Sequence, residues 1–209
     1  MNASERVLYY FADPMCSWCW GFSPVIESIK ATYGDVINIA LILGGLRPLN
    51  TEPMTPSLRE EILHHWHEVE RRTGQVFQFE SALPEGFIYD TEPPSRAVVV
   101  MGELNSAALF PYFKTLQTAF YAQGRDVTRP EVLLELTAGY HIDESQFQRL
   151  YDSDEIKSKT LAHFQRARHF GVRGFPTLIL QEPAGYHLVT RGYRDFESLQ
   201  PELSTLLAA

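Results

Sequence analysis

Within the first 45 residues two apolar strands enclose a helix, and the only two cysteines of the chain sit where the first strand hands over to that helix. Arg6 to Ala12 (RVLYYFA) is short, apolar and aromatic, and it closes at Asp13-Pro14, the pattern of a buried strand followed by a break. Phe22, Val25, Ile26, Ile29 and Tyr33 then recur at helical spacing, with Gly34 as a stop. Val36 to Leu43 (VINIALIL) is a second continuous apolar run, ending in Gly44-Gly45. Strand, crossover helix and strand in this order predict a βαβ unit with parallel strands. Cys16-Ser17-Trp18-Cys19 therefore falls at a helix N-terminus.

That placement has a chemical consequence. Thiolates, not thiols, attack disulfides, and the free N–H groups and dipole of a helix N-terminus stabilise the charged sulfur. The two-residue spacer puts Cys19 one turn on, within reach of a mixed disulfide on Cys16. The expected roles are Cys16 as nucleophile and Cys19, deeper in the first turn, as the resolving thiol. A zinc site would need four ligands. His64, His65 and His67 could only contribute from two different faces of one helix, so they read as a polar helix surface, and no metal site is expected.

The far end of the chain completes a sheet. Thr177 to Gln181 and Tyr186 to Thr190 flank Glu182-Pro183-Ala184-Gly185, a hairpin signal. A last helix follows, with Asp195 as its cap, Leu199, Leu203 and Leu206 on one face, and Pro201 in its first turn or at a kink. The strand opening at Thr177 should run antiparallel to the first strand, which sets Pro176 beside Cys16. A cis Phe175–Pro176 bond would turn the Phe175 backbone toward the sulfur and leave its N–H and C=O open to an extended substrate. The sequence admits either isomer.

Some 130 residues between these halves carry helical signatures. Thr55-Pro56 opens a segment with Leu58, Ile62, Trp66 and Val69 on one face and Gly74 at its end. Thr128 with Glu131, and Asp152 with Glu155, form capping-box patterns. Phe113, Leu116 and Phe120, and Ile156, Leu161 and Phe164, suggest further apolar faces, while Pro48 to Pro56 and Pro84 to Pro94 read as loops. The expected architecture is α/β, a discontinuous domain whose βαβ and ββα halves are split by an all-helical insertion. Residues 1–50 and 170–209 form the discontinuous domain and 51–169 the insertion.

Composition excludes other classes. Against 18 basic residues stand 26 acidic ones, a net charge of −8, the reverse of a nucleic-acid-binding footprint. No apolar run approaches the roughly 18 residues of a membrane span, so neither nucleic acid nor membrane is an expected partner. The N-terminus lacks an apolar leader core, and the expected location is the cytoplasm, where thiols stay reduced.

A strand leading to Asp13-Pro14-Met15-Cys16-Ser17-Trp18-Cys19-Trp20-Gly21, then Gly44-Gly45-Leu46-Arg47-Pro48 and a late Gly171-Val172-Arg173-Gly174-Phe175-Pro176-Thr177, resembles the DsbA family of the thioredoxin superfamily. The nearest likeness is to its cytosolic FrnE-like branch, related to 2-hydroxychromene-2-carboxylate isomerases and kappa-class glutathione transferases. The resemblance covers essentially the whole chain. It implies a thioredoxin fold, dithiol–disulfide exchange at Cys16 and Cys19, and a cis Pro176 preceded by Phe175. Two departures stand out. The spacer Ser17-Trp18 has no histidine like that of the periplasmic members, and Tyr10 occupies the position of thioredoxin's buried acid. Asp13 reads as a turn residue with Pro14.

The function expected on this basis is thiol–disulfide oxidoreduction with protein or glutathione disulfides, without a resident cofactor and with glutathione as a possible co-substrate. Phe175, Trp18 and Arg47 are the expected substrate contacts. Arg47 follows the carboxyl end of the second strand, where ligands bind in open α/β sheets; a surface ion pair is its alternative role. Trp18, Trp20, Met15 and Phe175 could form an apolar rim, although Trp20 suits a buried position under the helix. Two other functions compete: a glutathione-dependent transferase or isomerase, which would not need Cys19, and a non-catalytic peptide-binding chaperone.

Overall fold

The computed structural model describes residues 6–81 and 83–208; the N-terminal reading rests partly on residues outside that range. Strand β1 (Val7–Ala12) leads into α1 (Ser17–Tyr33) and β2 (Asn38–Leu43). Helices α2 (Pro56–Thr73), α3 (Glu92–Leu104), α4 (Leu109–Gln117), α5 (Pro130–Glu135), α6 (Glu144–Asp152) and α7 (Asp154–His169) follow. The chain closes with β3 (Thr177–Glu182), β4 (Gly185–Arg191) and α8 (Phe196–Ala208). The sheet order is β2-β1-β3-β4, with β1 parallel to β2 and antiparallel to β3, and β3 antiparallel to β4. One isolated bridge, Pro53 to Ile88, lies among the helices between β2 and β3.

β1 is apolar throughout because both of its faces are covered. Leu8, Tyr10 and Ala12 point into the larger core with Phe22 and Ile29 of α1 and Leu199 and Leu203 of α8. Tyr9 and Phe11 point the other way, onto Ala167 of α7, Val172 and Ile179. The last turn of α7 therefore belongs to the sheet's second face. His163 of α7 accepts the Leu43 N–H at 3.3 Å through Nδ1, and burial together with Arg166 lowers its pKa.

Several boundaries move relative to the sequence reading. Val36 lies outside β2 and is exposed, because Val36 and Ile37 donate their N–H groups to Tyr33 in the turn after α1. Pro93 and Pro94 belong to the first turn of α3 rather than a loop, where a missing N–H costs nothing. Arg129, not Thr128, precedes α5; the Thr128 hydroxyl and N–H both go to Asp126. The cap of α7 is Ser153, whose Oγ accepts the Ile156 N–H at 3.3 Å, while Asp152 ends α6. Leu161 is exposed and Thr160 takes the buried position beside Ile156 and Phe164. Thr55, Gly74 and Asp195 act as expected, the carboxylate of Asp195 accepting the Ser198 N–H at 2.8 Å.

Pro24 and Pro201 both lie inside helices, Pro201 beyond the first turn of α8. Pro24 has no N–H for the carbonyl of Trp20 four residues earlier. Gln75 Nε2 donates to that carbonyl at 3.0 Å and reaches Ser23 Oγ at 2.8 Å. Trp66 of α2 anchors the helical layer, its ring 5.3 Å from Phe77, 5.6 Å from Phe120 and 5.0 Å from Tyr121. Ser153→Ala should lower stability by about 1 kcal/mol and Asp152→Ala by less than about 0.5 kcal/mol in urea unfolding, because only Ser153 caps α7.

Candidate active site

Cys16 occupies the capping position of α1 in an extended conformation, φ −93° and ψ 116°, and its side chain makes no capping bond. Its carbonyl accepts from Cys19 and Trp20, each at 3.0 Å, and its N–H donates to Asp13 at 3.1 Å. The backbone is thus fully used and the sulfur is left for other partners. Cys16 retains 6% of its surface and Cys19 none; both are free thiols. Burial, followed by hydrogen bonding and charge from Cys16, pushes the Cys19 thiol well above its ordinary range.

The loop before β3 closes over this point. Phe175–Pro176 is a cis peptide, and the Cys16 thiol donates to the Phe175 carbonyl at 3.6 Å. The carbonyl expected to stand open is therefore engaged by Cys16. Register explains the meeting, since Phe11 at the end of β1 pairs with Thr177 at the start of β3. The ring of Phe175 lies against Gly44, where a Cβ would sit 2.0 Å from its Cζ. Gly45 has a positive φ of 66°. Each half of the Gly44-Gly45 pair therefore has its own requirement, one for contact and one for conformation.

Asp13 is fully buried beneath the motif. Its Oδ1 accepts the Met15 N–H at 2.9 Å, the turn role expected of it, and its Oδ2 accepts the Leu46 N–H at 2.8 Å. Burial raises its pKa from 3.8 to about 6 despite these bonds. Tyr10, at the position of thioredoxin's acid, is also buried, and its hydroxyl lacks a well-formed hydrogen bond. Burial and the charges of Cys19 and Cys16 hold that hydroxyl well above its usual pKa. The Tyr89 hydroxyl donates to the Met15 carbonyl.

The expected rim is only partly exposed. Met15 is wholly buried, and Trp20 packs inside, its Nε1 donating to Val76 at 3.1 Å and its ring stacked 6.3 Å from Tyr121. Trp18 and Phe175 are half-buried, Trp18 lying 6.0 Å from Tyr193. Arg47 forms no ion pair among the described residues; its guanidinium lies 5.8 Å from the Tyr89 ring centroid. His64, His65 and His67 face Glu61, Glu68 and Glu70 along α2. Sequence reasoning missed the bridging role of Asp13 and the part of Tyr89. Tyr89 carries no motif, and proximity across 74 residues leaves no local signature.

A dithiol at a strand-to-helix junction, covered by a cis-proline loop on this mixed sheet, defines a thioredoxin-type redox centre. The family model described as "DSBA-like thioredoxin domain" matches residues 7–204, and the chain belongs to that family. Fold and family are those of thiol–disulfide oxidoreductases. Among solved structures, a Nitrosomonas europaea protein provisionally described as a protein disulfide isomerase is 46% identical, covers 98% of each chain and gives a TM-score of 0.91. The cytosolic disulfide reductase DsbM of Pseudomonas aeruginosa shares the fold at 24% identity, with a TM-score of 0.78 over 97% of this chain and 98% of that one. A second DsbM structure, with glutathione, gives 0.79. The ClpXP adapter protein SpxH of Bacillus subtilis is 24% identical over 176 residues, 82% of this chain and 56% of that protein. The chain spans about half the length of the curated relatives it matches. No helix among the described residues is long and apolar enough to cross a membrane.

Two tests follow from this geometry. Gly44→Ala should cost about 1–3 kcal/mol by overpacking, and much less in a Phe175→Ala background, in a double-mutant cycle followed by urea unfolding. Asp13 has a folded pKa raised above its unfolded value, so protonation favours the fold. Its contribution is fully present below about 3.8 and is lost as pH rises through about 6. Wild type measured against Asp13→Asn should therefore gain on the order of 2 kcal/mol between pH 7 and pH 4.5. A pH-independent difference in unfolding midpoints would refute this assignment.

Proposed function

We propose that the protein exchanges disulfides with protein or glutathione substrates through Cys16 and Cys19. The observation carrying this reading is the unequal exposure of the pair, 6% against 0%, under the cis Phe175–Pro176 bond. A substrate disulfide can meet Cys16 first, and Cys19 only after the chain has docked. The Cys16 thiolate attacks one substrate sulfur, the substrate S–S bond breaks, and the other sulfur leaves as a thiolate. Cys19 gives up its proton and attacks Cys16, closing the Cys16–Cys19 bond and expelling the second substrate thiolate. Two electrons pass to the substrate, and the reverse order oxidises a substrate dithiol.

Pro176 shapes the covering loop, and Phe175 offers main-chain groups once the Cys16 sulfur has bonded to substrate. Trp18 and Arg47 flank the same opening as substrate contacts. No resident cofactor enters the scheme; glutathione acts as a co-substrate. The same reading assigns residues 1–50 and 170–209 to the catalytic domain and 51–169 to a helical insertion, and puts the activity in the cytoplasm.

Insulin reduction by glutathione tests the scheme. Cys16→Ser should abolish turnover, and Cys19→Ser should accumulate a mixed disulfide on Cys16 detectable by intact mass. Wild-type turnover in Cys16→Ser would overturn it. Glutathione-dependent isomerisation that survives in Cys19→Ser would favour the transferase reading instead.

A further inference from the structure

A cavity of about 760 Å³ opens between the later turns of α1 and helix α4, bounded also by Leu136 and Tyr140. That volume is in the range of small-molecule sites, roughly 300–1,000 Å³. Ser23, Ile26, Glu27 and Lys30 line it from α1, the i, i+3, i+4, i+7 face of one helix. Ser23 is seven residues beyond Cys16, about 10 Å along the axis, and Lys30 about 21 Å. None of Cys16, Cys19, Trp18, Arg47, Phe175 and Pro176 belongs to its lining.

Three observations suggest that this cavity has a ligand. Lys30 is half-buried, its Nζ 3.9 Å above the Phe110 ring, and burial lowers its pKa. Its nearest acid, Glu27, is already held by Lys114 through both oxygens, at 2.7 and 2.8 Å. Lys30 forms no ion pair among the described residues, so the cavity keeps a cation whose neighbouring carboxylate, Glu27, is shared with Lys114. Second, Gln117 lines the cavity and is wholly buried, yet neither its amide nitrogen nor its amide oxygen has a hydrogen-bond partner. Leaving such groups unpaired costs about 1–3 kcal/mol each; both atoms are closed to solvent, so a ligand would offset that cost only with the Gln117 amide turned into the cavity. Third, a π-helical turn, Thr118–Ala122, begins immediately after Gln117, and such turns concentrate at functional sites.

We propose that the α1–α4 cavity binds a small apolar carboxylate at a site separate from the cysteines. The carboxylate pairs with Lys30, the apolar body lies against Ile26, Phe110 and Phe113, and Gln117 adds a second polar contact by turning its buried amide toward the ligand. An anion is favoured over a cation because Lys30 is the unpaired charge, and an apolar body because the rest of the wall offers mainly aliphatic and aromatic carbon.

Isothermal titration of the full chain with 4-phenylbutyrate, 4-phenylbutylamine and 4-phenylbutanol tests the proposal, since the three share a body and differ in the head group. Saturable binding of one 4-phenylbutyrate per chain is expected, roughly tenfold or more tighter than either analogue. Lys30→Gln should weaken it by roughly tenfold, and Gln117→Leu should also weaken it. Cys16→Ser should leave it unchanged, and Lys30→Gln should retain wild-type insulin reduction. No saturable binding at millimolar concentration, equal binding of the amine, indifference to Lys30→Gln, or loss in Cys16→Ser would each overturn the proposal. Circular dichroism of Gln117→Leu shows whether that variant is folded, and Lys30→Gln decides the outcome if it is not.

Discussion

The site depends on one buried carboxylate. Asp13 lies at the end of β1, and its two oxygens accept from Met15, just before Cys16, and from Leu46, just after the glycine pair. A neutral side chain with one acceptor oxygen could not hold both N–H groups. The segment presenting Cys16 and the loop carrying Gly44 and Gly45 are therefore fixed to each other through a charge that burial disfavours. Phe175 packs on Gly44, so the cis-proline loop is tied into the same arrangement. The position of the Cys16 sulfur thus reflects contacts from three distant stretches of chain.

Local patterns were legible where one physical cause decided the outcome. Continuous apolar runs identified β1 and most of β2, and the Glu182-to-Gly185 turn identified the hairpin. Thr55, Gly74 and Asp195 marked helix ends because each satisfies or releases backbone groups within its own turn. The cysteine pair and the late proline could be brought together by strand direction alone, and the pairing of Phe11 with Thr177 is that inference in coordinates.

Legibility ended where two local solutions were equally good or the partner was remote. Asp152 and Ser153 are both competent caps by residue type, but Asp152 is still part of α6 and it is the Ser153 hydroxyl that receives the Ile156 N–H. A proline pair reads as a loop unless it falls in a helix's first turn, as Pro93 and Pro94 do. Leu161 and Thr160 exchange expected places because the face of α7 is set by β2 and α3, not by hydropathy along the helix. Gly44 looked like half of a generic turn, and its real constraint is an aromatic ring 131 residues away.

Pro24 carries a further consequence. By leaving the Trp20 carbonyl without its helical partner, it makes Gln75 part of α1's own hydrogen bonding. The segment after α2 therefore completes the helix that follows Cys16, and the two cannot be treated as interchangeable modules. A chimera that replaced the helical segment with one from a distant relative would inherit an open carbonyl one residue past Cys19. The graft would have to bring its own donor for that carbonyl, in addition to replacing the Trp20–Val76 and Tyr89–Met15 bonds.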